Sequence, residues 1–214
     1  YMYLSNSQRT KKLTLSLLLN PKDVISYLRF SLTKKTPLEV GLPWWSYKSI
    51  DTITPLLKKE HNVFEWGSGG STLFLAKRTK GVVAVENNPE WIEKVQKVIK
   101  KSRIDNVKIS HQEINLESTE LFMKSPYANY ISGSFDIIII DGEDHFGPSV
   151  SWSAREYCFE ISQSLISSNG GIIVVDDSWR YPKISAMSNA KEIIICESTG
   201  PCRKGVTRTD LHLY

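Results

Sequence analysis

Val63-Phe64-Glu65-Trp66-Gly67-Ser68-Gly69-Gly70-Ser71-Thr72 joins three structural signals in one short stretch. The apolar residues around Glu65 mark the end of a buried strand. Gly67, Gly69 and Gly70 supply a turn with bare backbone, and Leu73-Phe74-Leu75-Ala76-Lys77 opens a helix. A strand, a glycine turn and a helix N-terminus form a platform for the ribose and the carboxylate or phosphate of a nucleotide-like ligand. Gly67, Ser68, Gly69, Ser71 and Thr72 are the expected cradle. Glu65 sits at the strand tip, where its carboxylate suits a cationic group such as the α-ammonium of S-adenosylmethionine. A dinucleotide suits the loop less well, because G-x-G-x-x-G needs a glycine where the chain has Thr72.

Outward from this stretch, apolar strands and amphipathic helices alternate. A helix over 47–59 leads into the strand Asn62–Trp66, and a helix over 71–78 leads to the strand Gly81–Glu86, apolar on both faces. Pro89 opens a helix to about Lys101, as proline does in a first turn. Val107–Ser110 reads as a shorter strand, 116–124 as a helix, and 135–141, with Ile137 to Ile140, as a central parallel strand. A long helix after Gly147-Pro148 reaches about Ile166. Then come the strands Ile172–Val175, 193–196 and Val206–Leu213, the last two forming an antiparallel edge pair with no evident helix between them. This pattern predicts an α/β, doubly wound, Rossmann-like sheet of seven strands, the last antiparallel, with helices on both faces. Residues 1–42 read as an N-terminal helical appendage to a domain over 43–214. Asn20-Pro21-Lys22-Asp23 starts a helix there, with Val24, Ile25, Leu28 and Leu32 at helical spacing.

In an open parallel sheet, residues leaving the carboxyl ends of the strands meet in one crevice. Here they are Glu65, Glu86, Glu113, Asp141 and Asp176-Asp177. Glu86 closes the second strand, where a carboxylate can accept both ribose hydroxyls. Asn87 and Trp91 are placed to flank an adenine, and Glu113 to offer it a polar edge. Asp141-Gly142-Glu143-Asp144-His145 crowds ionisable groups directly after the most apolar strand. Two chemistries remain open there. Asp141, Asp176 and Asp177 could hold a hard divalent cation, magnesium best, that lowers the pKa of a substrate hydroxyl. Alternatively, His145, Glu143 or Asp144 acts as general base without a metal.

Taken in order, these residues resemble the class I S-adenosylmethionine-dependent methyltransferases over Pro43 to Tyr214. Phe64 to Thr72 is similar to that family's first motif and Val85 to Trp91 to its second. Phe135 to Gly142 and Gly170 to Ser178 are similar to its fourth and fifth strands. The resemblance implies that Glu65 and the glycine loop hold the methionine part of the cofactor, that Glu86 holds its ribose, and that Asp141 lies near the transferred methyl. Asp141, Asp176 and Asp177 also match positions of metal-dependent O-methyltransferases of catechols and macrolide sugars, although no lysine base follows Asp141. Leu42-Pro43-Trp44-Trp45-Ser46-Tyr47 and Asp177-Ser178-Trp179-Arg180-Tyr181-Pro182 are similar to methyltransferases associated with glycan synthesis. The implied activity is O-methylation of a sugar or glycan hydroxyl, with Trp44, Trp45, Trp179 and Tyr181 as aromatic walls of the acceptor pocket.

The bulk numbers agree. The chain has 214 residues, enough for one core with a small appendage, and a net charge of +4 spread along its length. That diffuse charge disfavours a nucleic-acid acceptor, as does the lack of an Asn-Pro-Pro-Tyr-like motif. Cys158, Cys196 and Cys202 have no metal-like spacing and read as free thiols of a cytoplasmic protein. No apolar run reaches the ~18 residues of a membrane span. The chain starts at Tyr1 rather than Met, and so reads as one domain of a longer protein. The rival readings are a nucleic-acid or small-molecule methyltransferase of the same fold, a nicotinamide-dependent oxidoreductase, and a cofactor-binding scaffold without turnover.

Overall fold

The computed structural model describes residues 6–145 and 151–214. Seven strands form one sheet: β1 (Asn62–Trp66), β2 (Gly81–Glu86), β3 (Val107–His111), β4 (Ile137–Ile140), β5 (Ile172–Val175), β6 (Glu192–Thr199) and β7 (Val206–Leu213), in the order β3-β2-β1-β4-β5-β7-β6. The first five strands are parallel, and β7 runs antiparallel between β5 and β6. Chain order reverses between β1 and β4, which is where an open α/β sheet presents its ligand crevice.

The strands pack both faces by simple alternation. Phe64, Trp66, Ile138, Ile140, Ile173 and Val175 join one core cluster, with Phe122, Tyr127 and Phe159 over them. Val63, Ile137, Ile139, Ile172 and Val174 point the other way, under Trp45, Ile50, Ile53, Phe74 and Leu75. The covering helices are α4 (Tyr47–Ile53) and α5 (Gly70–Ala76) on the second face, and α7 (Thr119–Lys124), α8 (Ala154–Ser162) and α9 (Pro182–Met187) on the first. Helix α6 (Pro89–Lys101) buries Val95 against Leu73 and Leu38.

Several boundaries differ from the sequence reading, each for a local reason. Helix α4 stops at Ile53 and tightens into a 3-10 turn over Thr54–Leu56, because Pro55 has no amide proton to continue the ladder. Helix α7 begins at Thr119 rather than 116, since the Ser118 side chain accepts the Leu121 N–H and caps it. Helix α8 ends at Ser162, short of Ile166, which bridges to Phe135 instead. Its expected start at Gly147-Pro148 lies outside the described residues. Between β5 and β6 the chain makes a 3-10 turn over Ser178–Arg180 and α9, opened by Pro182, whereas β6 and β7 follow one another without a helix, as the sequence reading expects.

The appendage is helical: α1 (Asn6–Leu19), α2 (Pro21–Ser26), a π-helical turn over Tyr27–Ser31, and the short α3 (Pro37–Val40). Asp23, placed at a helix start, is buried in the first turn of α2. The appendage is pinned to the antiparallel edge by Lys12–Glu197 at 2.9 Å and by Ser31 Oγ donating to the Gly200 carbonyl at 3.2 Å. No helix among the described residues is long and apolar enough to cross a membrane.

Candidate functional site

The glycine turn lies at the carboxyl end of β1, between β2 and β4. Gly67 takes a left-handed φ of +96°, and a Cβ there would come within 3.0 Å of the Asp141 carbonyl oxygen. Only a glycine lets these two strand ends approach so closely. At Gly70, a Cβ would come within 2.0 Å of the Leu42 carbonyl oxygen, so the segment after the appendage backs the turn.

Glu65 is 1% exposed, and two hydroxyls of the turn serve its carboxylate. Ser71 Oγ donates to Oε1, and Thr72 Oγ1 donates to Oε2 at 2.6 Å while accepting the Gly69 N–H at 2.8 Å. Thr72, the residue that breaks the dinucleotide pattern, thus ties the turn to the acid. Burial raises the Glu65 pKa to about 7 despite those two donors. Glu86 is also buried. Its Oε2 accepts from Ser68 Oγ at 3.0 Å, and its Oε1 accepts the Asn87 and Asn88 N–H groups at 3.0 and 3.1 Å. Burial pushes its pKa up against those donors. Two desolvated carboxylates therefore flank the turn on adjacent strands, Glu65 and Glu86, and each gains from a donor-rich or cationic ligand.

Asn87 and Glu143 meet across the rim, Nδ2 donating to Oε2 at 2.6 Å. Trp91 is half-buried against Gly69 and donates its indole N–H to the Ser68 carbonyl at 2.8 Å, bracing the turn from outside. Glu113 stays exposed, and its carboxylate has no hydrogen-bond or ion-pair partner among the described residues. Of the expected aromatic walls, Trp45 and Tyr181 are core residues, whereas Trp44 is half exposed.

The acids beyond β4 and β5 are held by arginines. Arg155, in the first turn of α8, donates Nη2 to Asp141 Oδ1 at 3.2 Å, Nε to the Gly142 carbonyl at 2.7 Å and Nη1 to the Asp176 carbonyl at 3.0 Å. Arg203, from the β6–β7 hairpin, donates to Asp177 Oδ1 at 3.3 Å and Asp176 Oδ2 at 3.2 Å, and its guanidinium lies 4.5 Å from the centroid of the Trp44 ring. Burial drives Asp176 upward, with Asp141 and Asp177 adding repulsion. Asp177 is also desolvated, but Arg203, Arg180 and the Thr207 hydroxyl hold it below the usual carboxylate range. Burial raises Asp141 to about 6, which Arg155 opposes.

This arrangement corrects the metal expectation. Asp141, Asp176 and Asp177 are each paired with an arginine, Arg155, Arg203 or Arg180, and no cluster of three or more metal-binding side chains occurs among the described residues. A magnesium ion there would have to displace fixed cations, so the residues present do not fit one. Asp144 is corrected too. Its carboxylate has no exposed surface and accepts the His145, Ala154 and Arg155 N–H groups and the Ser153 hydroxyl. It caps α8 and is not placed to accept a substrate proton. His145 stacks edge-on to Trp152, ring centroids 4.5 Å apart, with Nδ1 3.3 Å from Asp144 Oδ1 but not aligned for a hydrogen bond.

Arg155, Arg203 and Tyr127 were missed in the sequence. Arg155 carried a faint signal, because a cation in a helix's first turn opposes the helix dipole and needs a carboxylate nearby. Tyr127 carried none: its buried hydroxyl has no hydrogen-bond partner and lies where a Cβ on Gly142 would fall, 2.0 Å away.

With this geometry in hand, the fold is that of the class I methyltransferases: a seven-stranded mixed sheet ending in an antiparallel strand. A Streptococcus mutans protein solved in complex with SAH superposes with a TM-score of 0.52 at 14% identity, covering 85% of this chain and 100% of that one. An rRNA methylase from Streptococcus thermophilus gives 0.51 at 15%, covering 84% and 98%. Precorrin-6y C5,15-methyltransferase from Geobacter metallireducens gives 0.54 at 13%, covering 86% and 94%. No protein-family model and no curated protein sequence matches the chain.

Proposed function

We propose that this chain is an S-adenosylmethionine-dependent methyltransferase that methylates a hydroxyl of a sugar or glycan, without a metal. The carrying observation is the pair of buried carboxylates, Glu65 and Glu86, bridged to one glycine turn through Ser71, Thr72 and Ser68 at the switch point of the sheet. A turn rich in backbone N–H groups suits the cofactor's carboxylate, Glu65 its ammonium, and Glu86 its ribose diol.

The cofactor supplies an already activated methyl group, so the protein's part is alignment and removal of the hydroxyl proton. Asp141 is the proposed base. Its side chain is a quarter exposed, Arg155 holds Oδ1, and Oδ2 has no hydrogen-bond partner among the described residues. A pKa of about 6 keeps it ionised yet basic near neutrality. Trp44, half exposed and stacked by Arg203, is the proposed face for the C–H side of a sugar ring.

The test is methyl transfer from labelled cofactor to a panel of saccharides, with RNA as the competing acceptor class. Saccharide methylation that Asp141→Asn abolishes while cofactor binding persists supports the reading. Transfer to RNA alone, or binding with no turnover on either class, overturns it.

A further inference from the structure

The appendage presents a surface that the methyl-transfer site does not use. Leu13 and Leu17 of α1 are half-buried, yet Leu15, Leu18 and Leu19, at i, i+3 and i+4 spacing, are exposed, Leu18 at 73% and Leu19 at 70%. Ile25, Leu28 and Leu32 repeat the pattern through α2 and the π-helical turn, with Ile25 74% exposed. A helix with leucine all round is normally covered on every side. Among the described residues, α1 is anchored through Lys12–Glu197, and the π-helical turn through the Ser31–Gly200 hydrogen bond.

Charge identifies what fits the outer side. Residues 6–36 contain seven basic side chains and a single acid, Asp23, which is buried. The whole chain carries only +4, so the rest of it is net acidic: the charge that read as spread along the sequence is concentrated in the appendage. Lys11, Arg29, Lys34 and Lys35 are exposed, and Lys11 lines one open groove with Leu15 and Leu18. Protein interfaces deplete lysine from their apolar core. Nucleic-acid surfaces stack bases on aromatic side chains and gain nothing from exposed leucines. Leucines at helical spacing flanked by lysine and arginine match the boundary between headgroups and acyl chains of an anionic bilayer.

We infer that the N-terminal appendage is an interfacial docking element for anionic lipid surfaces. Its leucines and Ile25 enter the acyl boundary while the exposed lysines and Arg29 meet the headgroups, and the inner face of α1 stays on the sheet edge.

The experiment is cosedimentation of the purified chain with phosphatidylcholine vesicles and with phosphatidylcholine–phosphatidylglycerol vesicles. Sedimentation with the anionic vesicles only, weakening as salt rises, is expected. Lys34→Ala and Lys35→Ala should each lower the partition coefficient ~5-fold. Leu18→Ser combined with Leu19→Ser should lower it ~100-fold. These side chains are exposed, so unchanged circular dichroism and thermal unfolding will show that the variants are folded. Equal binding to both vesicle types, no binding to either, or leucine variants that bind as well as the parent would overturn the inference. A parent that is dimeric without vesicles, and becomes monomeric on the leucine substitutions, would assign the face to a second copy and equally overturn it.

Discussion

Cofactor affinity should rise steeply with pH below neutrality, because the acid proposed to receive the ammonium is protonated there. Glu65 is buried with a pKa of about 7. A ligand ammonium binds the ionised form, so the apparent dissociation constant scales inversely with the ionised fraction. That fraction is ~10% at pH 6 and ~90% at pH 8, which predicts affinity ~10-fold weaker at pH 6. Glu86, also raised, acts in the same direction and can only steepen the trend. The assay is calorimetric titration of S-adenosylhomocysteine across this range in two buffers of different ionisation enthalpy. Close to one proton should be released per ligand at pH 6 through Glu65, and close to none at pH 8. Glu65→Gln should remove most of the dependence and leave the smaller part due to Glu86. The same ionisation acts on the unliganded fold with the opposite sign. From the ordinary glutamate range up to about 7, the folded state keeps a proton that the unfolded chain has released. Stability therefore falls as pH rises through that window, by up to about 3 kcal/mol. Affinity that is flat with pH and carries no proton release would refute the pairing of Glu65 with the ammonium.

Other substitutions test the remaining parts of the site. Glu86→Ala should weaken S-adenosylhomocysteine binding ~10- to 100-fold, since charge-assisted hydrogen bonds are lost, with an unchanged circular dichroism spectrum. Gly142→Ala should destabilise the fold by ~2 kcal/mol or more in thermal denaturation, and Tyr127→Phe, which removes the hydroxyl in its way, should recover part of that loss. Arg155→Met should shift the acidic limb of the pH–rate profile to higher pH, because Asp141 loses the cation that opposes its upward shift; an unmoved limb would remove Asp141 as the base. Magnesium or a chelator should leave both cofactor affinity and turnover unchanged, and a clear magnesium requirement would contradict the arginine-paired reading of Asp141, Asp176 and Asp177.

What could be seen in the sequence was whatever short-range pattern dictates. Ile137 to Ile140 and Ile172 to Val175 are apolar at every position because both faces of a parallel strand are covered, so their place at the centre of the sheet follows from composition alone. Glu65 and Glu86 were legible because each interrupts an apolar run at its carboxyl end, and the pairing of Trp66 with Val85 puts those ends side by side. The helix α9 was hidden by its brevity: the six residues Pro182–Met187 bury only Ile184, too little for a periodic signal. The apolar face of the appendage was visible as spacing, but spacing cannot say whether a leucine stripe meets the core or the solvent.

The acid cluster shows why a row of carboxylates cannot report its own function. Asp141, Asp144, Asp176 and Asp177 follow buried strands, so each must be neutralised, but the sequence leaves open whether a metal ion, a backbone cap or a guanidinium does it. The three outcomes are decided by residues outside the strand ends themselves. Asp144 is satisfied by a helix start at Ser153, Asp141 by Arg155, and Asp176 and Asp177 by Arg203, which comes from the hairpin between β6 and β7. The distribution is also selective. Asp144 is fully capped and Asp177 is held below its usual range; Asp176 is pushed upward with both oxygens paired, whereas Asp141 is pushed upward with only one oxygen paired. A protein that needed only to quench charge would pair every oxygen. Asp141, half-paired beside the glycine turn, is a carboxylate that is ionised near neutrality and still able to take a proton, the property that the proposed role as base requires.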